Sequence, residues 1–153
     1  MNDKCAAGTG RFLEVMAAGL GYGLDQIGEA ALGAGSGIKV SAMCTVFAES
    51  EVTTLVHRGE DRARIALGLH EAIVSRTLSM LMRVGARGPL VFAGGGARNP
   101  ALVELVRRGF PGGHVRVPSD PQLVGALGAA LLGGDPQGVD RKRVARRRAR
   151  PSA

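Results

Sequence analysis

Two cysteines each stand just ahead of a helical pattern. Cys5 precedes Ala6-Ala7-Gly8-Thr9-Gly10-Arg11-Phe12-Leu13-Glu14, a glycine loop that opens a helix, and Cys44 lies in Ser41-Ala42-Met43-Cys44-Thr45-Val46-Phe47-Ala48, between a short apolar run and another helix. Gly8 and Gly10 allow a tight turn, and Thr9 can accept a bond from the unpaired amides that follow. The first turn of a helix favours negative charge, so a thiolate, a phosphate or an anionic metal-sulfur cluster would each be stabilised there. The chemistry indicated is redox or phosphate binding.

The elements that must hold these residues can be read from period and punctuation. Phe12, Leu13, Met16 and Leu20 predict a helix from Gly10 to Gly19, and a shorter one follows from Leu24 to Leu32. Gly33 to Gly37 is a connector leading to a predicted strand, Ile38 to Ser41. The next helix is expected from Val46 to His57, with Val52, Leu55 and Val56 inward and a stop at Arg58-Gly59. Asp61 reads as the cap of a long helix from Arg62 to Val84, whose Ile65, Leu69, Ile73, Leu78 and Leu81 keep a helical period. Leu90-Val91-Phe92-Ala93 reads as a strand feeding Gly94-Gly95-Gly96, after which Asn99 and Pro100 cap and start a helix to Arg108. Val115 to Val117 is another strand, and Gln122 to Leu132 an alanine-rich helix expected to close against the core. Alternating helices and strands indicate an α/β layer on parallel strands.

At 153 residues the chain is sized for one domain, placed at residues 1–133, with 134–153 as linker and basic tail. The net charge of +7 looks like a nucleic-acid signal until it is located. Residues 1–140 hold 13 basic and 13 acidic side chains, whereas 141–153 hold 7 basic and none acidic. The body is neutral. The tail is too like-charged to pack and has no aromatic residues for base stacking, so nucleic acid is not expected as a partner. No apolar run in the sequence approaches the ~20 residues of a spanning helix, and the N-terminus has no basic patch followed by an apolar stretch. A membrane is therefore not expected, and the expected compartment is the cytoplasm. Two cysteines without CxxC favour reduced thiols or a metal centre over a disulfide framework.

Other candidate groups carry less. The loop Gly94-Gly95-Gly96-Ala97-Arg98-Asn99 is either a plain strand-to-helix turn or a ligand loop, and it matches neither GxGxxG nor GxxxxGK[ST]. Glu49 and Glu51 read as helix-dipole partners, and Glu71 has no assigned role. His57, His70 and His114 lack metal-site spacing and are taken as structural or exposed. No Ser-His-Asp arrangement follows from the order.

The segments around both cysteines, together with Leu69-His70-Glu71-Ala72-Ile73, Val91 to Asn99 and Pro121 to Ala130, resemble the ATP-dependent activator family of 2-hydroxyacyl-CoA dehydratases and the benzoyl-CoA reductase ATPase subunits, over residues 2–133. The resemblance implies the C-terminal lobe of an actin-like, sugar-kinase and heat-shock-protein type ATPase. It also implies a [4Fe-4S] cluster shared between two subunits, with Cys5 and Cys44 of each as ligands, which suits a chain carrying two thiols where a cluster wants four. Gly8, Thr9 and Gly10 would then lie near the nucleotide, and Gly94, Gly95, Gly96 and Asn99 beside the adenosine of ATP. The implied job is ATP-driven transfer of a low-potential electron by a homodimer, from a donor such as ferredoxin or flavodoxin to a dehydratase or reductase component.

Family members carry further phosphate- and Mg²⁺-holding hairpins ahead of the first cysteine, and this chain begins at the cysteine motif. ATP hydrolysis by this chain alone is therefore not expected, because phosphoryl transfer depends on such positioning; the expectation is either a truncated or split-gene product or a chain that works with a partner supplying the rest. The competing expectation is a non-catalytic α/β lobe that binds a nucleotide or partner and holds no cluster.

Overall fold

A computed structural model describes residues 9–40, 45–111 and 114–134. In chain order the elements are α1 (Thr9–Leu20), α2 (Ile27–Gly33), α3 (Thr45–His57), α4 (Arg62–Arg83), β1 (Leu90–Val91), a 3-10 turn (Gly95–Arg98), α5 (Pro100–Gly109), β2 (Val115–Arg116) and α6 (Val124–Gly134). β1 and β2 pair in parallel, Leu90 opposite Val115 and Val91 opposite Arg116. The ladder is held by bonds of 2.8 Å from Leu90 N–H to the His114 carbonyl and from Phe92 N–H to the Arg116 carbonyl.

α4 is the spine. It begins where Asp61 accepts the Arg64 N–H at 2.9 Å, and its run from Ile65 to His70 is wholly buried. α2 and α5 pack along it, and α1 and α3 also touch it. One core results, with Phe12, Leu13, Met16 and Leu20 from α1, Ile27 from α2, Val52 from α3, Ile65 and Leu69 from α4, and Leu102 and Val106 from α5. The helix is 22 residues long and apolar enough by length and composition to cross a membrane, a test that the central helix of a packed domain passes equally. Arg62 Nη1 reaches the Leu20 carbonyl at 3.2 Å, so the start of α4 satisfies an orphan acceptor at the end of α1.

Several expectations are corrected. The strand expected at Ile38 to Ser41 is absent from its described part, residues 38–40, because Ile38 N–H donates to the Arg64 carbonyl of α4 at 3.0 Å and finds no strand partner. α2 starts at Ile27, since residues 24–26 are turn; Gln26 folds back on Gly23, its Oε1 accepting that residue's N–H at 2.9 Å. α1 starts at Thr9, one residue ahead of the expected Gly10, so Thr9 lies inside its first turn and not in a loop ahead of it.

The largest departure is α6. Expected to close against the core, it buries none of its residues, and Leu127, Leu131 and Leu132 are 60–67% exposed. Its sequence, VGALGAALLGG, is apolar all round, a pattern that ordinarily marks a buried helix, yet the described residues leave its leucines exposed.

The approach of residues 36–40 to α4 depends on Gly68. A Cβ there would overlap the Ile38 carbonyl oxygen, while Arg64 Nε holds the Ser36 carbonyl at 3.2 Å one turn earlier. Gly68→Ala must therefore push the segment away from the helix, costing about 1–3 kcal/mol. A thermal melt should show Tm lowered by several degrees; an unchanged Tm would contradict this packing.

Candidate functional site

A concavity lies between the start of α1 and the turn after β1. It has a volume of about 570 Å³, within the range of small-ligand sites. Gly10, Leu13 and Glu14 of α1 form one wall, Gly95, Gly96, Arg98 and Asn99 the opposite one, and Leu24, Asp25 and Gln122 complete it. The glycines among these bring backbone to the surface of the cavity. A Cβ on Gly10 would meet no described atom within 4 Å.

The turn on the far wall is fixed at both ends. Gly94 adopts φ +92° and ψ −179°, a conformation essentially confined to glycine, and its N–H donates to the Pro121 carbonyl at 2.7 Å. Ala97 N–H then donates to the Gly94 carbonyl and Asn99 N–H to the Gly96 carbonyl. Arg98 Nη1 reaches Gln122 Oε1 at 3.1 Å and ties the turn to the segment before α6.

Asn99 closes the turn and starts α5. Its Oδ1 accepts the Leu102 N–H at 3.1 Å, the N-cap that its sequence position predicts. Its Nδ2 lies 3.0 Å from Nε2 of His70, a fully buried residue of α4. Nδ1 of His70 sits 2.7 Å from the Ala66 carbonyl. A carbonyl can only accept, so Nδ1 carries the proton and Nε2 is left as the acceptor for Asn99. Burial is the main influence on this imidazole and holds its pKa below the ordinary 6.5, against the pull of the Ala66 carbonyl.

Residues 1–133 match the BadF/BadG/BcrA/BcrD ATPase family. The chain belongs to that family. Members similar to it include the activator of lactoyl-CoA dehydratase of Anaerotignum propionicum, 46% identical over 131 residues, covering 86% of this chain and 50% of that protein. The 2-hydroxyisocaproyl-CoA dehydratase activator of Clostridioides difficile is 40% identical over 144 residues, covering 94% of this chain and 54% of its own. A benzoyl-CoA reductase component of Thauera aromatica is 35% identical over 138 residues, covering 87% and 49%. Among solved structures, the activator of the 2-hydroxyisocaproyl-CoA dehydratase from Clostridium difficile with bound ADPNP superposes with a TM-score of 0.78 at 36% identity, covering 99% of this chain and 55% of that one. The chain thus spans about half the length of these relatives. Its fold is a partial α/β lobe of the actin-like ATPase type.

The residues singled out for this BadF/BadG/BcrA/BcrD-type lobe fall into three groups. Gly10 and, 85 or more positions later, Gly95, Gly96 and Asn99 line one cavity. Gly94 is not among the lining residues but shapes the turn, and of Thr9 only the backbone is described, as the first residue of α1. Gly8, Cys5 and Cys44 lie outside the described residues, although α1 and α3 begin shortly after the two cysteines and pack on each other. Among the described residues no group of three or more His, Cys, Asp or Glu side chains converges. Leu13, Glu14, Leu24, Asp25, Arg98 and Gln122 also line the cavity, and none of them carries a local signal in the sequence beyond helix amphipathicity or turn chemistry. His57 and His114 are exposed and His70 is fully buried, and the sequence reading, under which all three are structural or exposed, does not single His70 out.

Burial of a neutral His70 makes stability depend on pH. Below about pH 6.5 the unfolded chain takes up a proton at His70 that the folded chain refuses, so stability falls as the pH drops through that value and is independent of this group above it. Denaturation midpoints from pH 7.5 to 5 should therefore fall more steeply for the native chain than for His70→Gln; parallel slopes would show that His70 is not buried in its neutral form.

Proposed function

We propose that this chain is the nucleotide-holding, cysteine-bearing lobe of an ATP-dependent activator that passes one low-potential electron to a CoA-ester dehydratase or reductase. The observation that carries the reading is that the cavity is built on the first turns of α1, the helix that follows Cys5. A group bound against Gly10 and the turn Gly95–Arg98 would touch the same helix whose start follows a thiol in sequence.

The cavity's chemistry suits a nucleotide. Backbone at Gly10, Gly95 and Gly96 permits close approach of a flat base or sugar, Leu13 and Leu24 supply apolar surface, and Asn99, Gln122 and Asp25 offer polar groups. Hydrolysis also requires groups that hold the β- and γ-phosphates and Mg²⁺, so it is proposed for the whole assembly. Bound at Cys5 and Cys44 of two copies, a [4Fe-4S] cluster supplies one-electron transfer. The donor set fits, because two soft thiolates from each of two chains complete the four that such a cluster requires. The helix starts after both cysteines favour the more negative, reduced charge state. A ferredoxin or flavodoxin is the proposed electron donor, and the cytoplasm the proposed compartment.

Two measurements test this. At a hundredfold excess over its Kd, ADPNP should stabilise the full chain by about 2.7 kcal/mol. Gly95→Val, which adds bulk beside Gln122 at the cavity wall, should abolish that stabilisation; equal stabilisation of both proteins would move the nucleotide elsewhere. Anaerobic reconstitution should give about four iron and four sulfide per two chains with visible iron-sulfur absorption. Cys5→Ser or Cys44→Ser should each abolish it. A colourless native chain that still binds ADPNP would leave a nucleotide-binding lobe without a cluster.

A further inference from the structure

Asn99 touches the cavity, yet the residue is only 9% exposed and its orientation is decided from behind. A carboxamide can be turned over with almost no change of shape, and only its hydrogen-bond partners distinguish the two orientations. Here the partners are a backbone N–H of Leu102, which requires an oxygen, and Nε2 of His70. His70 can accept at Nε2 only because Nδ1 is committed to the Ala66 carbonyl at 2.7 Å. The chain of bonds therefore runs from the α4 backbone through the imidazole and the carboxamide to the α5 backbone.

The carboxamide is also hemmed in. α2 backs the same residue closely with Gly28, where a Cβ would stand 2.7 Å from Asn99 Oδ1 and 2.8 Å from Pro100 Cδ, so a side chain there would displace the carboxamide. Asn99 N–H donates to the Gly96 carbonyl at 3.1 Å, so fixing Asn99 fixes the end of the glycine turn that lines the cavity.

We infer that His70 is a positioning residue for the nucleotide: it acts through Asn99, setting the carboxamide orientation and with it the far wall formed by Gly95, Gly96 and Asn99. The inference rests on the nucleotide reading of the cavity. It assigns to a buried histidine, 29 positions from Asn99 in sequence, a role beyond filling the core. His70→Leu preserves apolar bulk but leaves Asn99 Nδ2 without an acceptor. His70→Gln returns one, because its side-chain oxygen can accept.

The test is ADPNP affinity of the full chain, measured by titration calorimetry well below Tm, for the native protein, His70→Leu and His70→Gln. The expected result is about tenfold weaker binding by His70→Leu, the scale of one unsatisfied buried donor, with recovery towards the native value in His70→Gln. A purely structural histidine would lower Tm in the leucine variant and leave Kd unchanged. Equal Kd for all three proteins would overturn the positioning role while leaving the cavity assignment intact. No binding by the native chain would overturn the nucleotide reading, and the inference falls with it. The native protein alone gives an independent check through nitrogen NMR of its imidazoles. The Nδ1-protonated, Nε2-bare tautomer of His70 is expected, and the opposite tautomer would overturn the inference whether or not a nucleotide binds.

Discussion

The structure depends on a short relay of hydrogen bonds in which a buried imidazole turns a carboxamide in one direction. Ala66, His70, Asn99 and Leu102 lie on α4 and at the start of α5, and no two of them adjoin in sequence. Each bond is modest by itself, but each buried group would be costly to leave unpaired, so the four are held as a unit. α5 is capped by the same side chain that ends the glycine turn, and the turn forms one wall of the cavity. Packing of α2, α4 and α5 and the shape of the site are therefore one arrangement.

α4 connects that site to the segment running towards Cys44. Its Arg64 carbonyl and guanidinium hold Ile38 and Ser36, and its Gly68 admits the Ile38 carbonyl. Further along the same helix, His70 holds Asn99. The two grips lie on one rigid helix whose buried residues run without interruption from Ile65 to His70. A change in the cavity and a change in the 36–40 segment would both have to be accommodated by the same core, which is close-packed and yields little.

Surface features contribute less. The Arg11–Glu14 and Arg108–Glu104 ion pairs, at 3.0 and 2.7 Å, join exposed side chains one turn apart, where solvent screens them to a fraction of a kcal/mol. α6 has glycine at four of its eleven positions, so local propensity supports it only weakly, and its leucines stay exposed.

Sequence by itself determined where helices start and stop, because caps and periodicity are local. Asp61, Asn99 and Pro100 act as their types require, and the long apolar period of residues 62–84 became α4 almost to the residue. It also supplied the two cysteines, the glycine turn and the family. Only the tertiary structure decided which glycines share a cavity, since Gly10 and Gly95 meet through the packing of α1 against the turn after β1. It removed the strand expected at residues 38–40, because backbone groups there are satisfied by α4, and a partner's position cannot be read from a strand-like sequence. It left α6 unburied among the described residues, although an all-round apolar sequence ordinarily marks a buried helix. His70 shows the division most clearly. Its place on the inner side of a helix is written in the period, whereas its bond to Asn99 exists only once α4 and α5 are packed together.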